Sequence, residues 1–165
     1  MTKTSRLDRL LAGRPAELAN AIAASRMLFR VAYLLQAHID DALAPFGIDM
    51  REYLALVLIA DDAVEPLRPS DLSTTLDATR TQVTRLLDGL EKKGLAKRLP
   101  DSSGDRRSLH LAQTDAGRDL LKQVAPTVHA AYQSGWGPVG TEGTASALRA
   151  LRLMHRDLAP PTESS

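Results

Sequence analysis

A mainly helical fold carrying one small β wing (α+β) is what the sequence predicts, and three observations predict it. Apolar residues recur at helical spacing through most of the chain, as in Leu28, Val31, Leu35 and Ile39, or Val83, Leu86, Leu87 and Leu90. The period changes to alternation only around residues 95–111, on either side of the turn-forming run Asp101-Ser102-Ser103-Gly104. Helix start and stop residues stand at the junctions between these segments. A length of 165 residues with 44 % apolar content fits one domain with a core of its own. Aromatics make up only 4 %, so that core is expected to be built from Leu, Ala, Val and Ile.

The elements follow in order. Residues 1–14 mix basic and polar side chains with Leu7, Leu10 and Leu11 and read as an arm or a short packed helix. Pro15 suits the first turn of a long helix reaching about Ala44. Its stripe of Leu28, Val31, Leu35, Ile39 and Ala42 is joined by Ile22, Phe29, Tyr33 and Leu43 elsewhere on the circumference. A helix apolar on several sides must be covered on several sides, and a second subunit is the expected cover. Pro45-Phe46-Gly47 ends it, and Asp49 caps a helix from Met50 to about Asp61. Residues 62–68 form a connector with one bridge of strand. A short helix, Pro69–Leu76, leads through Asp77-Ala78 to a second that opens on Thr79.

Residues 79–111 carry the densest signals. Thr79 and Gln82 form a capping-box pair, in which hydroxyl and amide satisfy N–H groups left unpaired at a helix start. Thr81, Thr84, Arg85, Asp88 and Lys92 fall opposite the apolar stripe. Gly94 ends the helix in a left-handed cap, with Leu95 reaching back towards Leu90. Two short strands follow around the basic tip Asp105-Arg106-Arg107. Residues 80–107 hold eight Lys or Arg against four acids, a local excess on a chain of net charge +1. Such a patch is either a solvated surface or a face for phosphates. The order short helix, turn, helix, basic hairpin favours the second reading: it is a winged helix-turn-helix pattern, with its core at about 50–112.

Thr114 then caps a helix whose apolar positions are Leu120, Leu121 and Val124; Pro126 is expected to kink it rather than end it. Residues 134–140 read as a loop. Thr141 and Glu142 start a last helix with Leu148, Leu151, Leu153, Met154 and Leu158, ended by Pro160-Pro161. The outer helices, about 15–44 and 114–158, are expected to build a homodimer.

Several chemistries are disfavoured. The chain has no cysteine, so disulfides and thiolate metal sites are absent. Gly135, Gly137 and Gly140 spell a dinucleotide fingerprint without the strand and parallel sheet that it requires. His155-Arg156-Asp157 imitates a kinase loop but lacks the following Asn. Histidines 38, 110, 129 and 155 show no metal-ligand spacing. No catalytic residue, metal site or cofactor is therefore expected. The first residues contain no sustained apolar segment of the kind a secretory signal needs, and residues 50–60 are too short to span a bilayer. The expected setting is cytoplasmic, away from membranes.

The run from Leu67 to Gly117 (LRPSDLSTTLDATRTQVTRLLDGLEKKGLAKRLPDSSGDRRSLHLAQTDAG) resembles the winged helix-turn-helix core of MarR-type transcription regulators. The most specific part is Asp105, Arg107, Leu109, Leu111 and Thr114, and the likeness extends over roughly residues 20–158. Similarity is closer to the EmrR branch, through PSDLS, Arg80-Thr81, RRSLHL and the proline in the helix after the wing. Arg68 and Asp77 depart from the family's usual cap and turn glycine. The resemblance implies a homodimer on a pseudo-palindromic double-stranded DNA operator, a repressor of efflux or aromatic-compound genes, released by a small aromatic-acid or phenolic effector. By chemistry and by family position, Thr79, Arg80, Thr81, Gln82, Thr84 and Arg85 face the major groove. Arg107 enters the minor groove, oriented by Asp105, while Arg106 and Arg98 add backbone charge. His38, Arg51 and Tyr53 are candidates for holding the effector; as ordinary packed or solvated residues they leave a DNA-binding protein without a ligand as the alternative.

Overall fold

The computed structural model describes residues 13–61, 67–100 and 109–159. Helix α1 (Ala16–Leu43) runs into a short 3-10 turn (Ala44–Phe46), followed by α2 (Met50–Ala60), α3 (Pro69–Thr75) and α4 (Arg80–Lys92). Strands β1 (Ala96–Pro100) and β2 (Leu109–Gln113) pair antiparallel, and α5 (Asp115–Trp136) and α6 (Gly140–Leu158) complete the order. Helices with one small wing are what the periodicities predicted.

Contacts divide the chain into two compact units, with the division after His38. The division falls inside α1 because its last turn belongs to the second core, where Ile39 and Leu43 are buried. In the first unit no described residue is buried. Phe29 and Tyr33 are each more than 70 % exposed, so the apolar surface expected on several sides of this helix lies open in the single chain.

The second unit is organised on aliphatic side chains. Ile39, Leu43, Leu56, Leu72, Val83, Leu87, Leu90, Val124 and Val128 are its largest fully buried residues, drawn from α1 to α5. Local signals set the ends of its helices. Asp49 accepts from the Glu52 N–H at 2.8 Å while Glu52 accepts from the Asp49 N–H at 3.1 Å, a reciprocal cap at the start of α2. Arg68, which offers no acceptor of its own, is capped from the other direction: the Asp71 carboxylate accepts its N–H at 2.7 Å. Asp77, in the turn between α3 and α4, takes a φ of 46°, the left-handed region in which aspartate is tolerated. Neither departure from the family pattern breaks the helix-turn-helix.

The wing is registered from Ala96 opposite Gln113 to Pro100 opposite Leu109. Of the connector expected at residues 62–68, only 67 and 68 are among the described residues, and there the Leu111 N–H bonds the Leu67 carbonyl at 2.7 Å. Residues 134–140 are not a loop. Helix α5 continues to Trp136, a 3-10 turn spans Gly137–Val139, and α6 opens at Gly140 rather than Thr141. One or two helical glycines cost only about 1 kcal/mol each, too little to stop a helix that already has partners along its length. Helix α6 has no buried residue, and Leu153 and Leu158 are more than half exposed.

Candidate nucleic-acid interface

Helix α4 divides as its spacing predicted. Val83, Leu87 and Leu90 are buried, and Thr79, Arg80, Thr81, Gln82, Thr84 and Arg85 are all exposed. The start of the helix is held by Thr79 and Gln82. The Thr79 N–H donates to Gln82 Oε1 at 2.8 Å, and the Gln82 N–H donates to the Thr79 hydroxyl at 3.3 Å. The amide oxygen of Gln82 is thus committed to the cap, and bidentate pairing to a base would have to release it. Thr84 donates its hydroxyl to the Arg80 carbonyl at 2.9 Å, inside the helix.

The other end of α4 is fixed by two devices. Gly94 has a φ of 68°, its N–H bonds the Glu91 carbonyl at 2.9 Å, and the Leu95 N–H bonds the Leu90 carbonyl at 2.9 Å. This is the left-handed cap that the glycine predicted. Lys93 then donates to the Gly47 carbonyl and to both Glu52 oxygens, each at 2.7 Å, tying the end of α4 to the start of α2. That tie was not visible in the sequence, where Lys93 reads only as a charge suited to the helix dipole.

Thr114 joins the wing to α5. Its N–H bonds the Leu95 carbonyl at 3.2 Å, its hydroxyl donates to the Gly94 carbonyl at 2.6 Å, and the same oxygen caps the Gly117 N–H at 3.0 Å. One threonine therefore closes the end of α4 and opens α5.

Arg98 is not placed as a free backbone contact. Its guanidinium bonds Glu91, reaches Asp88 Oδ1 at 2.8 Å and the Thr84 carbonyl at 3.3 Å, and its side chain is only 21 % exposed. Two carboxylates of α4 already match its charge. The wing-tip residues Asp105, Arg106 and Arg107 lie outside the described residues.

The comparisons with known proteins agree with this geometry. A family model described as MarR family matches residues 46–108. The chain is 36 % identical over 95 residues to the transcriptional repressor MprA of Escherichia coli, covering 58 % of this chain and 53 % of MprA, so it spans about half the length of that relative. It is 30 % identical over 105 residues to the HTH-type transcriptional repressor Mb2911 of Mycobacterium bovis, covering 64 % of this chain and 73 % of the relative. The chain belongs to the MarR family. Among solved structures, it is similar to the MarR-family regulator Sco3205 of Streptomyces coelicolor in complex with DNA, at a TM-score of 0.79 and 27 % identity over 87 % of this chain and 90 % of that one. It is also similar to CouR of Rhodococcus jostii RHA1 bound to p-coumaroyl-CoA, at a TM-score of 0.67 and 26 % identity over 84 % and 93 % of the two chains.

Within this MarR-family chain the three effector candidates are divided between the two units. His38 closes the first unit, whereas Arg51 and Tyr53 lie in the second. Arg51 is exposed and Tyr53 half-buried. Burial, with a smaller contribution from Tyr132, pushes the Tyr53 hydroxyl above its ordinary value. An open cleft of about 550 Å³ lies elsewhere, at the junction of α5 and α6 beside Trp136, Thr141 and Leu148. A smaller one, of about 350 Å³, runs along α6 between Arg149, Arg152 and Arg156. Neither is lined by the three candidates.

Proposed function

We propose that this MarR-family chain is a cytoplasmic, DNA-binding transcription regulator, a repressor acting as a homodimer on a pseudo-palindromic operator. The observation that carries the reading is α4: Thr79, Arg80, Thr81, Thr84 and Arg85 are exposed together on a helix whose other face is buried, whose start is capped by Thr79 and Gln82, and whose end is tied to α2 through Lys93 and Glu52. Arg80 and Arg85 make no ion pair among the described residues, so their charge is available to phosphate or guanine. Sco3205 supports the reading, being similar along most of its length and seen with DNA. Arg107 is proposed for the adjacent minor groove, oriented by Asp105, with Arg106 adding charge towards the DNA backbone. Arg98, its charge already matched, drops out of the set.

The test is binding to the double-stranded DNA beside the chain's own gene over a salt series. Changing Arg85 to alanine should cost about 1–3 kcal/mol with relaxed specificity if it reads a base, or lower the salt slope by about 1 if it meets a phosphate. Unchanged affinity and slope would remove Arg85 from the interface. A parent protein that ignored every duplex in dilute buffer would overturn the reading as a whole.

Dimerisation follows from the uncovered apolar residues of α1 and, independently, of α6. Helix α1 with its following turn is also long and apolar enough, by length and composition, to cross a bilayer. Arg30 stands near the middle of that span, where a charge costs about 2.5–3.5 kcal/mol on insertion scales, so a second copy is the better cover. Sedimentation at micromolar concentration should give the mass of two chains, and a monomer would overturn the dimer. Two copies would set their α4 helices about 34 Å apart, one turn of DNA.

The proposed effector is a small aromatic-acid or phenolic compound, and the proposed targets are efflux or aromatic-compound genes. The p-coumaroyl-CoA bound to CouR supports the aromatic class. A ligand that prefers a dimer with another spacing weakens DNA binding by population shift. The alternative is a regulator without a small-molecule ligand. DNA binding that stays the same across a panel of aromatic acids and phenols would decide for it.

A further inference from the structure

We infer that Arg98 is a positioning residue, a strut that sets the angle of the wing against the recognition helix instead of touching DNA. The inference rests on the DNA-binding reading above but makes an intramolecular claim of its own. Three partners on α4 converge on the one side chain: the Thr84 carbonyl at 3.3 Å, Asp88 Oδ1 at 2.8 Å, and Glu91. Residues 84, 88 and 91 are spaced at four and three, so they form one line along the flank of the helix. A planar guanidinium can bond several acceptors along such a line at once, whereas a lysine ammonium offers a point charge.

Glu91 holds the wing twice. One carboxylate oxygen takes the Arg98 guanidinium, and the other accepts the Arg98 backbone N–H at 2.8 Å. In the antiparallel pair β1 and β2, that N–H is turned from β2 towards α4, so Glu91 satisfies an edge-strand donor that would otherwise face water. Backbone and side chain of one β1 residue are thereby bonded to the helix that carries Thr81 and Arg85. The attachment is next to the helix stop at Gly94, where the chain reverses. It limits rotation of the paired strands about that stop, and so sets β1 and β2 against the major-groove residues of α4. A site held within a few tenths of an ångström needs this kind of supporting contact.

The strut and a direct phosphate contact predict opposite results for Glu91. The full-length chain is titrated with the duplex from beside its own gene, comparing parent, Glu91→Ala, Arg98→Gln and the double variant, each checked for folding by its thermal midpoint. If Glu91 positions the wing, Glu91→Ala weakens binding about tenfold even though it removes a negative charge from beside the DNA face. The double variant is then no weaker than Arg98→Gln alone, because both changes cut the same link. Equal or tighter binding by Glu91→Ala, or full additivity in the double variant, overturns the strut. If the parent itself ignores DNA, the regulator reading fails and hydrogen exchange judges the strut. The Arg98 amide exchanges faster in Glu91→Ala if the link exists, and an unchanged rate overturns it.

Discussion

Replacing Leu90 with alanine is expected to destabilise the protein by about 2–5 kcal/mol, the range for deleting a fully buried leucine side chain. Leu90 has no exposed surface. It sits on the buried stripe of α4 with Val83 and Leu87, and its carbonyl accepts the Leu95 N–H that closes the helix. Alanine is the better helix former by only a few tenths of a kcal/mol, so the cavity decides the sign. Urea unfolding monitored by circular dichroism measures it, and a cost below about 1 kcal/mol would show that this site collapses without loss. Because α4 is both a core helix and the proposed reading helix, the variant should also lose DNA affinity at temperatures where it begins to unfold, and regain it on cooling.

Gly117→Ala is the second large effect. A Cβ built on Gly117 lies 2.1 Å from the Leu95 carbonyl oxygen and 3.1 Å from its carbon. These are backbone atoms, and that oxygen also takes the Thr114 N–H, so neither side can turn away as a flexible side chain would. The first turn of α5 has to move off the base of the wing. Helix propensity works in the opposite direction, since alanine gains about 1 kcal/mol over glycine in a helix. Overpacking a tight site typically costs about 1–3 kcal/mol, and an overlap this deep belongs at the upper end, so the clash should win. A net loss in the unfolding midpoint is the expected result. A more stable Gly117→Ala protein would mean that α5 and the wing part easily, and would undercut the rigid junction described around Thr114.

Much of the winged core was legible because its signals are local. Thr79 with Gln82, Gly94 with Leu95, and Asp49 at the start of α2 each act over a few residues, and the structure shows each bond where the pattern placed it. The expected loop at 134–140 is instead helical for a related reason: glycine and proline are breakers by local propensity, while the continuation of α5 to Trp136 depends on what surrounds the helix. The site was legible in part. The exposed set on α4 follows from a 3.6-residue period and needs nothing else.

Arg98 shows the limit. As one of eight basic residues between 80 and 107 it is indistinguishable from Arg85 in sequence. Only the fold of β1 back along α4 brings it to Asp88 and Glu91, and that approach is a matter of chain reversal at Gly94 and of packing between a strand and a helix. The same holds for Lys93 and Glu52, forty-one residues apart, and for the close approach of Gly117 to Leu95. Period and punctuation along the chain determined the elements, their order and the polar face of α4, because dihedral preferences and caps act between near neighbours. Which charges are matched inside the molecule and which remain for a partner was decided by tertiary structure alone, because electrostatic pairing depends on distance through space, and distant residues meet only after the chain has folded.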